Sequence, residues 1–123
     1  MKIINLIPGD KILEFKEIQE KIFLKMYSEE MDNSDDSRSW KLLNEKVYTL
    51  KQLRVNKSFY VMYIHPVHAY MNRLFDTNKD DLLEFMHKYI NCDKGDGIDI
   101  IIATKDYSMI LICNHDGEIY QAK

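Results

Sequence analysis

The chain has 123 residues, 46% of them hydrophobic and 30% charged, with a formal net charge of −3. That composition describes one globular domain over residues 1–123, large enough to bury a core without disulfide or metal staples. The acidic balance argues against a nucleic-acid-binding face. Four glycines and two prolines leave no Gly-rich phosphate loop, and no apolar run nears the ~20 residues of a membrane helix.

Residues 2–7, KIINLI, form a short apolar run closed by Pro8 and Gly9, either an opening strand or an extended lead-in. The start lacks the long apolar segment and small-residue cleavage site of a secretory signal, and Cys92 and Cys113 fall outside any C-x-x-C spacing. Both features lead to the expectation of a cytoplasmic protein with reduced thiols. Asp10 can cap a helix that begins at Lys11. Ile12, Phe15, Ile18, Ile22 and Met26 then recur three or four residues apart, which puts them on one helical face. Leu13, Phe23 and Tyr27 widen that stripe, and the spacing predicts a helix to about Met31.

Residues 29–37 hold five carboxylates, Glu29, Glu30, Asp32, Asp35 and Asp36, and a single apolar residue, Met31. They read as an acidic surface loop. Ser37 or Ser39 can cap a second, shorter helix bearing Trp40, Leu43 and Val47. Residues 48–55 either finish that helix or bend into an extended segment. Residues 58–65, SFYVMYIH, are rich in aromatic and β-branched side chains and predict a strand, ended by Pro66. Val67, Tyr70, Met71 and Leu74 have helical spacing, so a helix is expected over 67–75. Thr77 or Asn78 can cap a further helix with Asp80 and Asp81 in its first turn, where carboxylates favour the helix dipole. Leu82, Phe85, Met86 and Tyr89 supply its buried face.

Residues 91–97, rich in Asp and Gly, lead into the last quarter. Residues 98–121 read IDIIIATKDYSMILICNHDGEIYQ, with Ile-rich runs at 98–103 and 107–113 and a shorter run at 118–121. Bends at Thr104-Lys105-Asp106 and Asn114-His115-Asp116-Gly117 make this a three-stranded antiparallel meander. Its near-continuous apolar runs call for cover on both faces, with Ile100, Ile102, Ile110 and Ile112 in the core. The expected fold is α+β: a mostly antiparallel sheet ending in that meander, with helices packed on one face.

Candidate chemistry is sparse. His65 and His68 form an H-x-x-H that His87, His115 or Asp116 could complete as a metal site, but Pro66 interrupts it, and surface or half-buried histidines are the better reading. His115-Asp116 invites an acid–base role, yet Asp-Gly is ordinary turn chemistry. Cys92 and Cys113 are read as structural. The carboxylates cluster at 29–36, 76–84 and 93–99, and none matches a calcium loop. They form either a solvated acidic surface or a negative face that docks a basic protein. Eight tyrosines suit interfaces and half-buried strands equally.

The C-terminal third resembles small bacterial toxin-immunity proteins, most of all those of contact-dependent growth inhibition. The likeness rests on Leu82-Leu83-Glu84-Phe85-Met86 leading into the runs at 98–103 and 107–113 and the bend Asn114-His115-Asp116-Gly117. Such families often carry Trp in the second strand, where this chain has Tyr107-Ser108-Met109. The resemblance implies tight binding to a cognate toxin domain, commonly a nuclease, without catalysis or cofactor. A nuclease site is usually basic, so the expected toxin-binding residues are Glu29, Glu30, Asp32, Asp35 and Asp36, with Asp76, Asp80 and Asp81 second. No nucleic-acid or membrane partner is expected. The rival readings are a small metal-dependent hydrolase using His65, His68, His115 and Asp116, and a regulatory domain that buries its Tyr- and Met-rich surface in a homodimer.

Overall fold

The structure, a computed structural model, describes residues 7–31, 40–42, 51–65, 67–90, 99–113 and 119–122. In chain order these are β1 (Asp10–Ile12), α1 (Lys16–Met31), β2 (Trp40–Leu42), α2 (Lys51–Val55), β3 (Ser58–Ile64), β4 (Arg73–Asn78), α3 (Lys79–Phe85), β5 (Asp99–Thr104), β6 (Ile110–Cys113) and β7 (Ile119–Ala122). A 3-10 turn, Ala69–Met71, precedes β4, and a wider π-helical turn, Met86–Ile90, follows α3. The described strands form one sheet in the order β1-β4-β3-β5-β6-β7-β2, every pair antiparallel. Sequence-adjacent β5, β6 and β7 lie side by side as the expected meander. The fold is α+β.

Strand alternation sorts the side chains into two cores, one on each face. Phe59 and Val61 of β3, Ile100 and Ile102 of β5, and Leu111 and Cys113 of β6 point to one face. Leu53 of α2, Leu82 and Phe85 of α3, and Met86 cover it. Met62 of β3, Leu74 of β4, Ile101 and Ala103 of β5, and Ile110 of β6 point to the other. There Ile22 of α1 is buried, and Phe15, Ile18, Phe23 and Met26 pack beside it. The central strands are apolar on both sides because both sides are covered, as the Ile-rich runs demand. The expectation of helices on one face is therefore corrected: α1 takes one face, α2 and α3 the other. Ile100, Ile102 and Ile110 are buried as expected, while Ile112 is half-buried.

Three elements differ from the sequence reading. The first helix begins at Lys16, because Asp10–Ile12 is paired with β4 as an edge strand. Gly9 makes that possible: its φ of +108° turns the chain, and a side chain there would run into the Asp76 carbonyl. Ile12 and Phe15 still serve the α1-side core, so their shared stripe reported a face but not a helix. Trp40 lies in strand β2 on the free edge of β7, where pairing overrides the local helical pattern. The helix expected over 67–75 is instead one 3-10 turn followed by β4. Val67 and Tyr70 are exposed, so the spacing that suggested a helix was not a core stripe. The cap on α3 is as expected: the Asn78 side chain accepts from the Asp81 amide at 2.9 Å.

Candidate functional site

Of the acidic residues expected to bind a partner, Asp32, Asp35 and Asp36 lie outside the described residues. Glu29 and Glu30 fall in the last turn of α1. Asp80 and Asp81 are exposed in the first turn of α3. Asp81 is drawn into the cap, its carboxylate accepting from the Asn78 amide group at 2.9 Å. Asp76 is engaged within the molecule: Lys105 Nζ lies 2.7 Å from its Oδ2. Residue 76 shares the face of β4 on which Leu74 meets the α1-side core, whereas Asp80 and Asp81 begin the helix that covers the opposite face. The structure thus sets Asp76 apart from Asp80 and Asp81.

The two ends of β3–β4 and β5–β6 carry the built turns. At one end the chain passes from β5 to β6 through residues 104–109. Buried Thr104 closes the turn: its amide donates to the Met109 carbonyl at 3.0 Å, and its Oγ1 accepts from the Met109 amide at 3.0 Å. Asp106 Oδ1 accepts from the Ser108 hydroxyl at 2.7 Å and the Ser108 amide at 3.0 Å. These donors, the hydroxyl first, then the amide and the Thr104 side chain, hold its carboxyl at about 2 against an ordinary 3.8. Tyr107 has φ of +61°, a conformation costly for a residue with a side chain. Its ring stacks on Tyr60, with centroids 6.0 Å apart. Lys105 Nζ sits 4.4 Å from the Tyr60 centroid and Lys21 Nζ 6.0 Å from that of Tyr107. Burial and then neighbouring Tyr60 raise the Tyr107 phenol. The sequence reading placed Tyr107 in the strand; β6 in fact begins at Ile110. Its left-handed backbone has no local signature, since Gly or Asn is the usual occupant.

At the other end, residues 65–72 join β3 to β4. His65 Nδ1 accepts from the Val67 amide at 3.1 Å and the His68 amide at 2.9 Å. The His65 amide donates to Asn72 Oδ1 at 2.8 Å, and Asn72 Nδ2 donates to Gln19 Oε1 of α1 at 3.0 Å. Asn72 is 1% exposed, so this buried amide fastens the turn to the helix. The His65 and His68 rings stack at 5.5 Å, with Tyr63 edge-on at one side and Tyr70 tilted against His68 at the other. Outside this frame stand Val67, 74% exposed, and Tyr70, 76% exposed, with Met71 beside them. Exposed apolar and aromatic side chains on a backbone fixed by side-chain bonds are what a preformed docking element requires.

His65 and His68 are brought together, but as an aromatic stack whose inner nitrogen is committed to the backbone. Among the described residues, no three of His, Cys, Asp and Glu cluster as metal ligands would. His115 and Asp116 lie outside the described residues, as do Cys92 and the Asn114-to-Gly117 bend. Burial pushes the Cys113 thiol up to about 12, which fits the structural role expected of it. Among the described residues no helix is long and apolar enough to cross a membrane. Comparison of the chain with family models, with curated proteins and with solved structures returns no match.

Proposed function

We propose that the chain acts by binding another protein, as an immunity protein that occupies and neutralises a cognate toxin domain. The observation that carries this reading is the turn at 65–72. It presents Val67, Tyr70 and Met71 to water while His65 and Asn72 hold its backbone. Rigid apolar and aromatic anchors bind with little ordering cost, and a few of them supply most of an interface's energy. Among the described residues the strand edges fit a different route poorly: β1 and β2 each show three residues, a short template for an added strand.

The acidic residues take the second role, that of steering. Asp80 and Asp81 are exposed, and Glu29 and Glu30 lie in the last turn of α1. Exposed carboxylates suit long-range attraction of a basic partner, such as a nuclease domain. Asp76 contributes less, because Lys105 neutralises it. The resemblance of the C-terminal third supplies the class of partner.

The test is growth rescue and complex formation with the polypeptide encoded next to this chain. The chain should relieve that polypeptide's toxicity and co-purify with it. Val67→Asp with Tyr70→Ala should weaken the complex by about 30-fold or more, the effect of losing a hot spot. Asp80→Asn with Asp81→Asn should slow association and flatten its salt dependence. A neighbour without toxicity, or a complex indifferent to both double variants, would sink the proposal.

A further inference from the structure

His65 occupies the place that Asn or Asp holds in an Asx turn. Its Nδ1 is as many bonds from the backbone as an asparagine Oδ1, and it accepts the amides two and three residues on. An imidazole does this only while Nδ1 is bare, which requires the neutral tautomer carrying its hydrogen on Nε2. A second proton goes to Nδ1 and sets a donor against the Val67 and His68 donors. Protonation also places a positive charge against the stacked His68 ring, 5.5 Å away.

The geometry points to His65 as an acid-released latch on the 65–72 turn, which makes binding through Val67 and Tyr70 conditional on an unprotonated imidazole. The proposal deepens the protein-binding reading above and rests on it for its consequence, release of the partner in acid. The groups around His65 offer an imidazolium no compensating carboxylate on the described elements. Tyr63 of β3 meets it edge-on, His68 lies face-on, and Tyr70 lies beyond His68. β4 brings Arg73, paired across from Tyr63, with its guanidinium on the Asn72 carbonyl at 3.0 Å. α1 reaches the turn through neutral Gln19 by way of Asn72. The latch holds at high pH and opens as the imidazole takes its second proton.

The experiment uses the free, full chain and needs no partner. Imidazole ¹⁵N shifts report the tautomer, and backbone ¹H–¹⁵N shifts report the Val67 and His68 amides through the His65 titration. The expected result is the Nε2–H tautomer at high pH, with both amides shifting in step with His65 as pH falls. His65→Asn keeps an acceptor at the same position but cannot take a proton. It should hold both amides at all pH values and abolish the step, whereas His65→Ala should lose the turn throughout. An Nδ1–H tautomer, or amides that ignore the His65 titration, would overturn the latch. Failure to bind any partner at neutral pH would instead strike the protein-binding reading and leave these shifts standing.

Discussion

The two built turns use one device with opposite chemistry. At residues 104–109 a carboxylate oxygen, Asp106 Oδ1, takes two donors from Ser108. At residues 65–72 an imidazole nitrogen, His65 Nδ1, takes two donors from Val67 and His68. The charged acceptor is exposed, in a turn whose Lys105 pairs with Asp76. The neutral acceptor bonds the Val67 and His68 amides, in a turn that leaves Val67 and Tyr70 exposed. Covering an ionised acceptor with a partner would forfeit its hydration, whereas covering a satisfied neutral one costs little. The comparison therefore singles out the histidine end as the one suited to burial, and the aspartate end as the one suited to solvent.

The largest expected effect should not distinguish the ends. Ile110 is 1% exposed and packs under α1 in the core beneath both. Ile110→Ala should cost about 2–5 kcal/mol, read from urea melts, and weaken amide protection at both turns alike. Damage confined to one turn would show that the sheet does not couple them. Asn72→Ala should be more selective. It removes the acceptor of the His65 amide and the partner of Gln19 within a buried site, at about 1–3 kcal/mol. Protection should fall at Val67 and His68 but hold at Met109. Thr104→Val is the mirror variant: it strips the acceptor of the Met109 amide and should loosen only the aspartate end, at a similar cost. Equal loosening of both ends by either variant would remove the contrast.

A smaller effect is expected at the ion pair. Lys105 and Asp76 side chains are 35% and 44% exposed, so solvent screens much of their attraction. Lys105→Met should cost no more than about 1 kcal/mol and lose even that in high salt. It would leave Tyr60 without the ammonium now 4.4 Å from its centroid. A loss of several kcal/mol, insensitive to salt, would show that the charged end bears weight like the core.

What the sequence disclosed follows the distance over which each feature is determined. The meander, the cap at Asn78 and the burial of Ile100, Ile102 and Ile110 rest on short-range patterns with strong chemistry, and they were legible. Trp40 was not, because a three-residue strand exists only through its pairing with β7, whose sequence lies near the chain's end. Val67, Tyr70 and Met71 were misread for a more instructive reason. Apolar residues at helical spacing usually mark a core, and here they mark a surface. H-x-x-H drew attention to His65 and His68 for metal binding, while their observed contacts are to backbone amides and to each other's rings. Asp76 reads like its acidic neighbours in the sequence, but Lys105, in the turn just after β5 and so across β3 from β4, holds it.

The smallest effect bears on the comparison most directly. Asp106 is held at about 2, below its ordinary 3.8, by bonds to the carboxylate form. A depressed acid contributes stability that is present above its unfolded value and lost only as pH falls through its folded one. The aspartate turn should therefore stay closed until pH drops from about 4 toward 2. Carboxyl ¹³C shifts should show Asp106 titrating near 2 in the parent chain. Ser108→Ala deletes the largest of the bonds and keeps the amide, so the midpoint should rise toward 3.8 without reaching it. Because the group is exposed, the melting temperature should hardly move. A parent midpoint at the ordinary value would mean that Asp106 does not take both Ser108 donors, and the parallel between the two turns would fail at its charged end.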